Sequence, residues 1–245
     1  MRKLFLFLSI AIFSYGSSIT IAVAANVSYA IPSLIKSFNQ HYPNIKVNTT
    51  LGSSGKLTAQ ITYGAPYDML LSANMLYPNR LYKNNFAITK PIVYAKGSLV
   101  LFSIKQRDFI KGIELLKDNS IKTIAIPNPK TAPYGVAAKE ALENIDLYKK
   151  IKPKFIYGES VSQTVIYTLK VASIGIVAKS VLFSPRMSNY KKEINWIDID
   201  QKLYTPIDQG IVILKRAKNN QDVKAFYDFI LSKEGKKILN NFGYL

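Results

Sequence analysis

Four short stretches carry residues suited to holding a ligand. They are Asn26, Gly52-Ser53-Ser54-Gly55, Lys130-Thr131-Ala132-Pro133-Tyr134-Gly135 and Glu159-Ser160-Val161-Ser162-Gln163. Each follows a β-rich apolar run and leads into helical spacing. A helix start leaves its first backbone N–H groups unpaired and carries about half a positive charge. Such an end attracts anions. The hydroxyls of Ser53 and Ser54 add donors, and Gly52 and Gly55 let the backbone come close. A serine or asparagine before a helix is, taken alone, an ordinary cap. The chemistry therefore rests on the series of four turns, which together describe a ring of neutral donors for an oxyanion.

Catalytic readings find less support. GSSGK at 52–56 lacks the P-loop spacing, and the same stretch does not fit a nucleophile elbow. The single histidine, His41, lies in FNQHYPN at a helix end, and a secreted hydrolase using Ser53 or Ser54 would need a general base beside it. Asp68 opens a strand and Glu159 belongs to the other half of the chain, so no carboxylate pair forms. With no cysteine in 245 residues, thiolate metal sites are excluded. The expectation is a binding protein without catalytic residues, without a cofactor and without direct metal-cation ligands.

The elements that must position these turns alternate. ITIAVAA (19–25) reads as a strand, NVSYAIPSLIKSFNQHYP (26–43) as a helix with Ile31, Leu34, Ile35, Phe38 and Tyr42 on one face, and IKVNTTL (45–51) as a strand. SGKLTAQITYG (54–64) follows as a helix stopped by Gly64, and YDMLLSA (67–73) as a strand. A second series starts at KGSLVLFSI (96–104). It continues with a helix around 108–117, strands at 121–129 and 153–158, and helices at 134–145 and 161–171. ASIGIVAKSVL (172–182) then reads as a strand running into a short helix, PIDQGIVILK (206–215) as a strand, and 221–243 as one or two helices. Short β-α-β connections predict mainly parallel sheets. Two such series predict an α/β protein of two lobes, one from 18–93 plus 207–245 and one from 94–206. The chain would cross near 90–96 and return near 203–208, a two-crossover hinge. In open α/β sheets the carboxyl ends of the strands face one crevice where ligands bind.

The start of the chain reads as an export signal over residues 1–17: Arg2 and Lys3, then LFLFLSIAIF, then small and polar residues. No cysteine follows for lipid attachment. The formal net charge is +18, but the lysines are scattered. With the export signal, that excludes nucleic acid as the expected partner and leaves a positive field that favours a small anion.

With the turns laid out, the chain resembles the periplasmic molybdate-binding proteins of bacterial ABC importers. The resemblance rests on AAN at 24–26, GSSGKL at 52–57, AQI-x-x-GAP-x-D at 59–68, LSA at 71–73, PYG-x-AAKEAL at 133–142, GES-VSQ at 158–163, GIVAKS at 175–180 and TPIDQG at 205–210. It implies a type II periplasmic binding fold closing on one tetrahedral oxyanion, molybdate or tungstate. It also implies a periplasmic location, an inner-membrane permease as partner, and a monomer. Carried over by position, it implies ligand contacts from Asn26, from the hydroxyl and N–H of Ser54, and from the backbone N–H groups of Tyr134 and Val161. Some members carry a tyrosine where this chain has Ala178. The loss of that donor makes Tyr134, Lys56 and Gln163 candidates to replace it, with Ser53 a further candidate. A sulfate receptor is the alternative within the same class.

Overall fold

The computed structural model describes residues 17–245. Residues 1–16, and with them nearly all of the expected export signal, lie outside the described residues. The first lobe is built from β1 (Ser17–Ala24), α1 (Ile31–His41), β2 (Ile45–Gly52), α2 (Ser54–Thr62), β3 (Met69–Ser72), α3 (Leu76–Lys83) and β4 (Ile92–Gly97). The chain then crosses into the second lobe. That lobe contains β5 (Leu99–Phe102), β6 (Ile124–Pro127), α4 (Pro133–Glu143), α5 (Tyr148–Ile151), β7 (Phe155–Gly158), α6 (Val161–Lys170), β8 (Ile174–Ala178) and β9 (Trp196–Asp198). It returns to the first lobe for β10 (Ile207–Ile213), α7 (Gln221–Leu231) and α8 (Lys233–Asn241).

The two sheets repeat one plan. Their orders are β2-β1-β3-β10-β4 and β7-β6-β8-β5-β9. β1 runs parallel to β2 and β3, and β6 parallel to β7 and β8. β10 is antiparallel to β3 and β4, and β5 antiparallel to β8 and β9. The sheets are therefore mixed and not mainly parallel as expected: the β-α-β units give the parallel strands, while strands entering at a crossover run the other way. β1 is buried along most of its length because helices cover both faces, which is why ITIAVA reads as a continuous apolar run.

Register brings the turns together. Ala24 pairs with Gly52 and Val23 with Leu71. In the second sheet Pro127 pairs with Gly158, and Ala125 with Gly175. The carboxyl ends of β1, β2 and β3 thus share one edge, as do those of β6, β7 and β8.

Three further expectations need correction. The helix expected from 26 begins at Ile31, with Pro32 in its first turn, and Ala25–Val27 form a separate 3-10 turn that buries Asn26. The stretch 90–96 expected as a crossing is largely β4, whose pairing with β10 keeps it in the first sheet as far as Gly97. The lobe boundary therefore lies at Ser98 rather than before residue 94. Finally, the helix expected around 108–117 is a 3-10 stretch over Gly112–Lys117, opened by Gly112 at φ +55°.

Two large apolar cores follow. One packs Ile19, Ile21, Leu34, Phe38 and Phe226 beneath the first sheet. The other packs Leu101, Phe102, Leu142 and Ile176 in the second lobe, and it extends across the cleft to Ala24, Ala25 and Ala73 of the first.

Candidate anion-binding cleft

Asn26 sits in the 3-10 turn after β1 and is 1% exposed. Its Nδ2 donates to Gln209 Oε1 at 2.8 Å and to the Tyr244 hydroxyl at 2.8 Å. The Tyr134 hydroxyl lies a longer 3.4 Å away. The backbone carbonyl of Asn26 accepts from Ser180 Oγ and from the Tyr244 hydroxyl, each at 2.9 Å. Both amide hydrogens are therefore engaged within the protein, while Oδ1 is buried without a partner. The sequence reading has this amide donating to the ligand. The structure places the residue in the cleft wall and gives its donors to Gln209 and Tyr244.

The turn after β2 starts α2. Ser53 occupies the cap position but makes no capping bond, and its hydroxyl is buried and unpartnered. Ser54 is fully buried, and its Oγ accepts the N–H of Ala73 at 2.9 Å. Accepting that bond leaves the hydroxyl proton of Ser54 available to a ligand. The amide of Gly55 crosses the cleft to the carbonyl of Thr131 at 3.1 Å. A Cβ at Gly55 would lie 2.9 Å from the Tyr77 hydroxyl and 3.0 Å from that carbonyl. Glycine is thus what lets the helix start approach the opposite lobe.

In the second lobe, α4 begins with Pro133, which has no N–H, so its first free amide is that of Tyr134. α6 begins at Val161 behind Ser160, whose hydroxyl caps the N–H of Gln163. Among the described residues, the amides of Ser54, Tyr134 and Val161 have no acceptor. Three orphan helix-start amides, one from the first lobe and two from the second, thus border one cleft.

The remaining candidates are placed as follows. Lys56 reaches across the cleft mouth to Glu159, Nζ to Oε2 at 3.0 Å, with both side chains about half exposed. The hydrogen bond from Lys56, then that from Asn128, hold the Glu159 carboxyl below its ordinary pKa. Its charge is thereby paired outward instead of facing an anion. The Gln163 side chain is occupied at both ends, Oε1 accepting from the Glu159 amide at 2.6 Å and Nε2 donating to Tyr167 at 3.0 Å. Ala178 is buried at the end of β8, paired with Leu99, and its methyl offers no donor. Burial pushes the phenols of Tyr134 and Tyr244 well up. Both therefore remain neutral hydrogen-bonding groups beside the site. His41 pairs with Glu234 of α8 at 3.0 Å on the surface. Asp68 holds Thr20 N and Arg216, bonds that brace the first sheet.

Sequence reasoning missed Ala73, Gln209, Ser180 and Tyr244. Ala73 directly follows β3, the third of the parallel strands, and could have been found by the rule applied to the other strand ends. Gln209 is a fully buried amide inside an apolar strand, itself a signal. Ser180 and Tyr244 carry no local signal, because their roles come from contacts with Asn26 at sequence separations of 154 and 218.

Known proteins share this sequence pattern and fold. The family described as bacterial extracellular solute-binding protein matches residues 19–245. The molybdate-binding protein ModA of Rhodobacter capsulatus is 31% identical over 243 residues, spanning 98% of this chain and 93% of that protein. Among solved structures, the periplasmic molybdate-binding protein of Azotobacter vinelandii matches with a TM-score of 0.85 at 28% identity, over 93% of this chain and 98% of that one. The sulfate-binding protein SubI of Mycobacterium tuberculosis H37Rv shares the fold at a TM-score of 0.76 and 16% identity, over 93% of this chain and 86% of its own.

Proposed function

Because this chain belongs to the bacterial extracellular solute-binding proteins, we propose that it is the periplasmic receptor of an ABC importer for molybdate. On this reading it accepts tungstate as well, works as a monomer and delivers its ion to an inner-membrane permease. The names of its relatives in Rhodobacter and Azotobacter support the ligand.

What supports the reading is that the Ser54, Tyr134 and Val161 amides lack acceptors among the described residues, that Ser53 Oγ is buried without a partner, and that these groups sit beside the contacts joining the lobes at Gly55–Thr131, Asn26–Tyr134 and Ser162–Ala25. Helix-start amides stabilise a dianion without a paired cation, because their partial charges are fixed and already desolvated. The carboxylate of Glu159, two residues before Val161, is paired with Lys56 at 3.0 Å. Selectivity follows from size. Donors spaced for the larger tetrahedral oxyanions leave sulfate with stretched bonds, and backbone donors cannot follow it inward without further closure.

A thermal-shift panel on the purified mature protein tests this. Molybdate or tungstate at about 100 times its dissociation constant adds about 2.7 kcal/mol to apparent stability. Sulfate and phosphate at the same concentration give a clearly smaller shift. Stabilisation by sulfate equal to that by molybdate would assign the receptor to sulfate instead.

A further inference from the structure

We propose that Tyr244 is a positioning residue for the oxyanion site, acting through Asn26. The inference rests on the receptor reading above.

Tyr244 follows α8, and its ring packs in the first-lobe core beside β4. The next residue, Leu245, exchanges two backbone hydrogen bonds with Lys96 of β4, at 2.8 and 2.9 Å. The ring is thus held by packing and its segment by pairing. Its hydroxyl makes two bonds to one residue, donating to the Asn26 carbonyl and accepting from Asn26 Nδ2. Main chain and side chain of the first cleft turn are clamped together.

The direction of the Asn26 amide is also determined. Gln209 Nε2 donates to the Ile207 carbonyl at 3.0 Å, with the Ala73 carbonyl at 3.4 Å. Gln209 Oε1 must therefore face Asn26, and the Asn26 NH2 must face Gln209. Two fixed acceptors, Gln209 Oε1 and the Tyr244 oxygen, take the two hydrogens. Asn26 so held presents its carbonyl to Ser180 and its amide edge to Tyr134, both in the second lobe. A Cβ at Gly97 would collide with the same Tyr134 hydroxyl, so this phenol is seated directly against the first lobe. Tyr134 supplies one of the orphan amides. Tyr244 thereby sets the first turn in register with the part of the second lobe that supplies the amide of Tyr134.

The test is Tyr244→Phe, which keeps the ring, measured beside Asn26→Ala, the double variant and Tyr94→Phe. Tyr94 controls for loss of a buried phenol oxygen, since its hydroxyl is buried beside Tyr244 without a partner. Calorimetry with molybdate is expected to show about a tenfold higher Kd for Tyr244→Phe and no change for Tyr94→Phe. In the Asn26→Ala background, Tyr244→Phe is expected to have no further effect, because its route to the site is already gone. Amide hydrogen exchange of the ligand-free protein is expected to rise in 25–27 and 179–183 in Tyr244→Phe alone. A Kd within twofold of wild type, effects that multiply in the double variant, or unchanged exchange would overturn the proposal. Absence of molybdate and tungstate binding by the wild type would instead overturn the receptor reading, leaving the exchange measurement to decide on Tyr244.

Discussion

The amide of Gly55, in the first turn of α2, donates across the cleft to the carbonyl of Thr131 at 3.1 Å. It is a direct backbone bond between the lobes, made beside the residues that would surround an anion. Ser180 to Asn26 and Ser162 to the Ala25 carbonyl, at 2.9 and 3.4 Å, add two more crossings. On the receptor reading proposed above, an anion held by donors from both halves couples binding to closure.

Gly55→Ala separates closure from folding. The added methyl meets the Tyr77 hydroxyl and Thr131 backbone at 2.9–3.3 Å, contacts that exist only when the lobes are together for Thr131. Alanine is favoured over glycine by up to about 1 kcal/mol in a helix interior and by less at the second residue of α2, where Gly55 lies. The expected outcome is a ligand-free melting temperature that is unchanged or higher, with molybdate affinity reduced about tenfold or more in calorimetry. Unchanged affinity would show that the Gly55–Thr131 contact is not needed in the bound state.

Ser54→Ala is expected to cost both binding and stability. The hydroxyl is a candidate ligand donor, and it also accepts the buried Ala73 N–H. Leaving a buried donor unpaired costs about 1–3 kcal/mol, which a denaturant titration would register. Loss of affinity without loss of stability would mean that Ala73 finds another acceptor.

Much of the fold was legible because its signals are local. Apolar runs, helical spacing, Gly64 as a stop and the Ser-rich turn all act within a few residues. What stayed hidden depends on distant partners. β4 reads as a linker because its outer positions Ile92, Val93 and Lys96 are exposed at a sheet edge. β9 is only three residues long, Trp196–Asp198. Strand-end logic and resemblance single out Asn26, Ser53, Ser54, Tyr134 and Val161 as candidates, and the structure places them at the turns and helix starts that follow strands of the two lobes. The commitment of the Asn26 amide could not be seen, because Gln209 and Tyr244 reach it from 183 and 218 residues away.

The Lys56–Glu159 pair predicts a pH dependence. Glu159 titrates below its ordinary value because Lys56, and then Asn128, bond its ionised form. Its contribution to closure is therefore fully present above the ordinary carboxylate value and is lost as pH falls through the depressed one. Both partners are about half exposed, so the effect is modest and screened by salt. Glu159→Gln is expected to speed molybdate release by roughly threefold at low ionic strength, and less in high salt. A salt-independent change would point to a role other than this ion pair.

Ala178→Tyr asks whether the cleft still has room for a phenol after β8. The site is fully buried and paired with Leu99, while Tyr204 already bonds the Leu99 amide at 3.0 Å. The structure predicts overpacking and weaker binding, not a restored donor. A tighter molybdate complex in calorimetry would show that the wall can yield.

The most direct measurement is a crystal structure of the mature protein with tungstate, located by its anomalous signal. The account predicts one metal centre between the lobes, its oxygens at hydrogen-bond distance, about 2.7–3.2 Å, from the amides of Ser54, Tyr134 and Val161. A metal centre bound on the lysine-rich surface, or a cleft site whose oxygens are held by lysine ammonium groups in place of those amides, would contradict it.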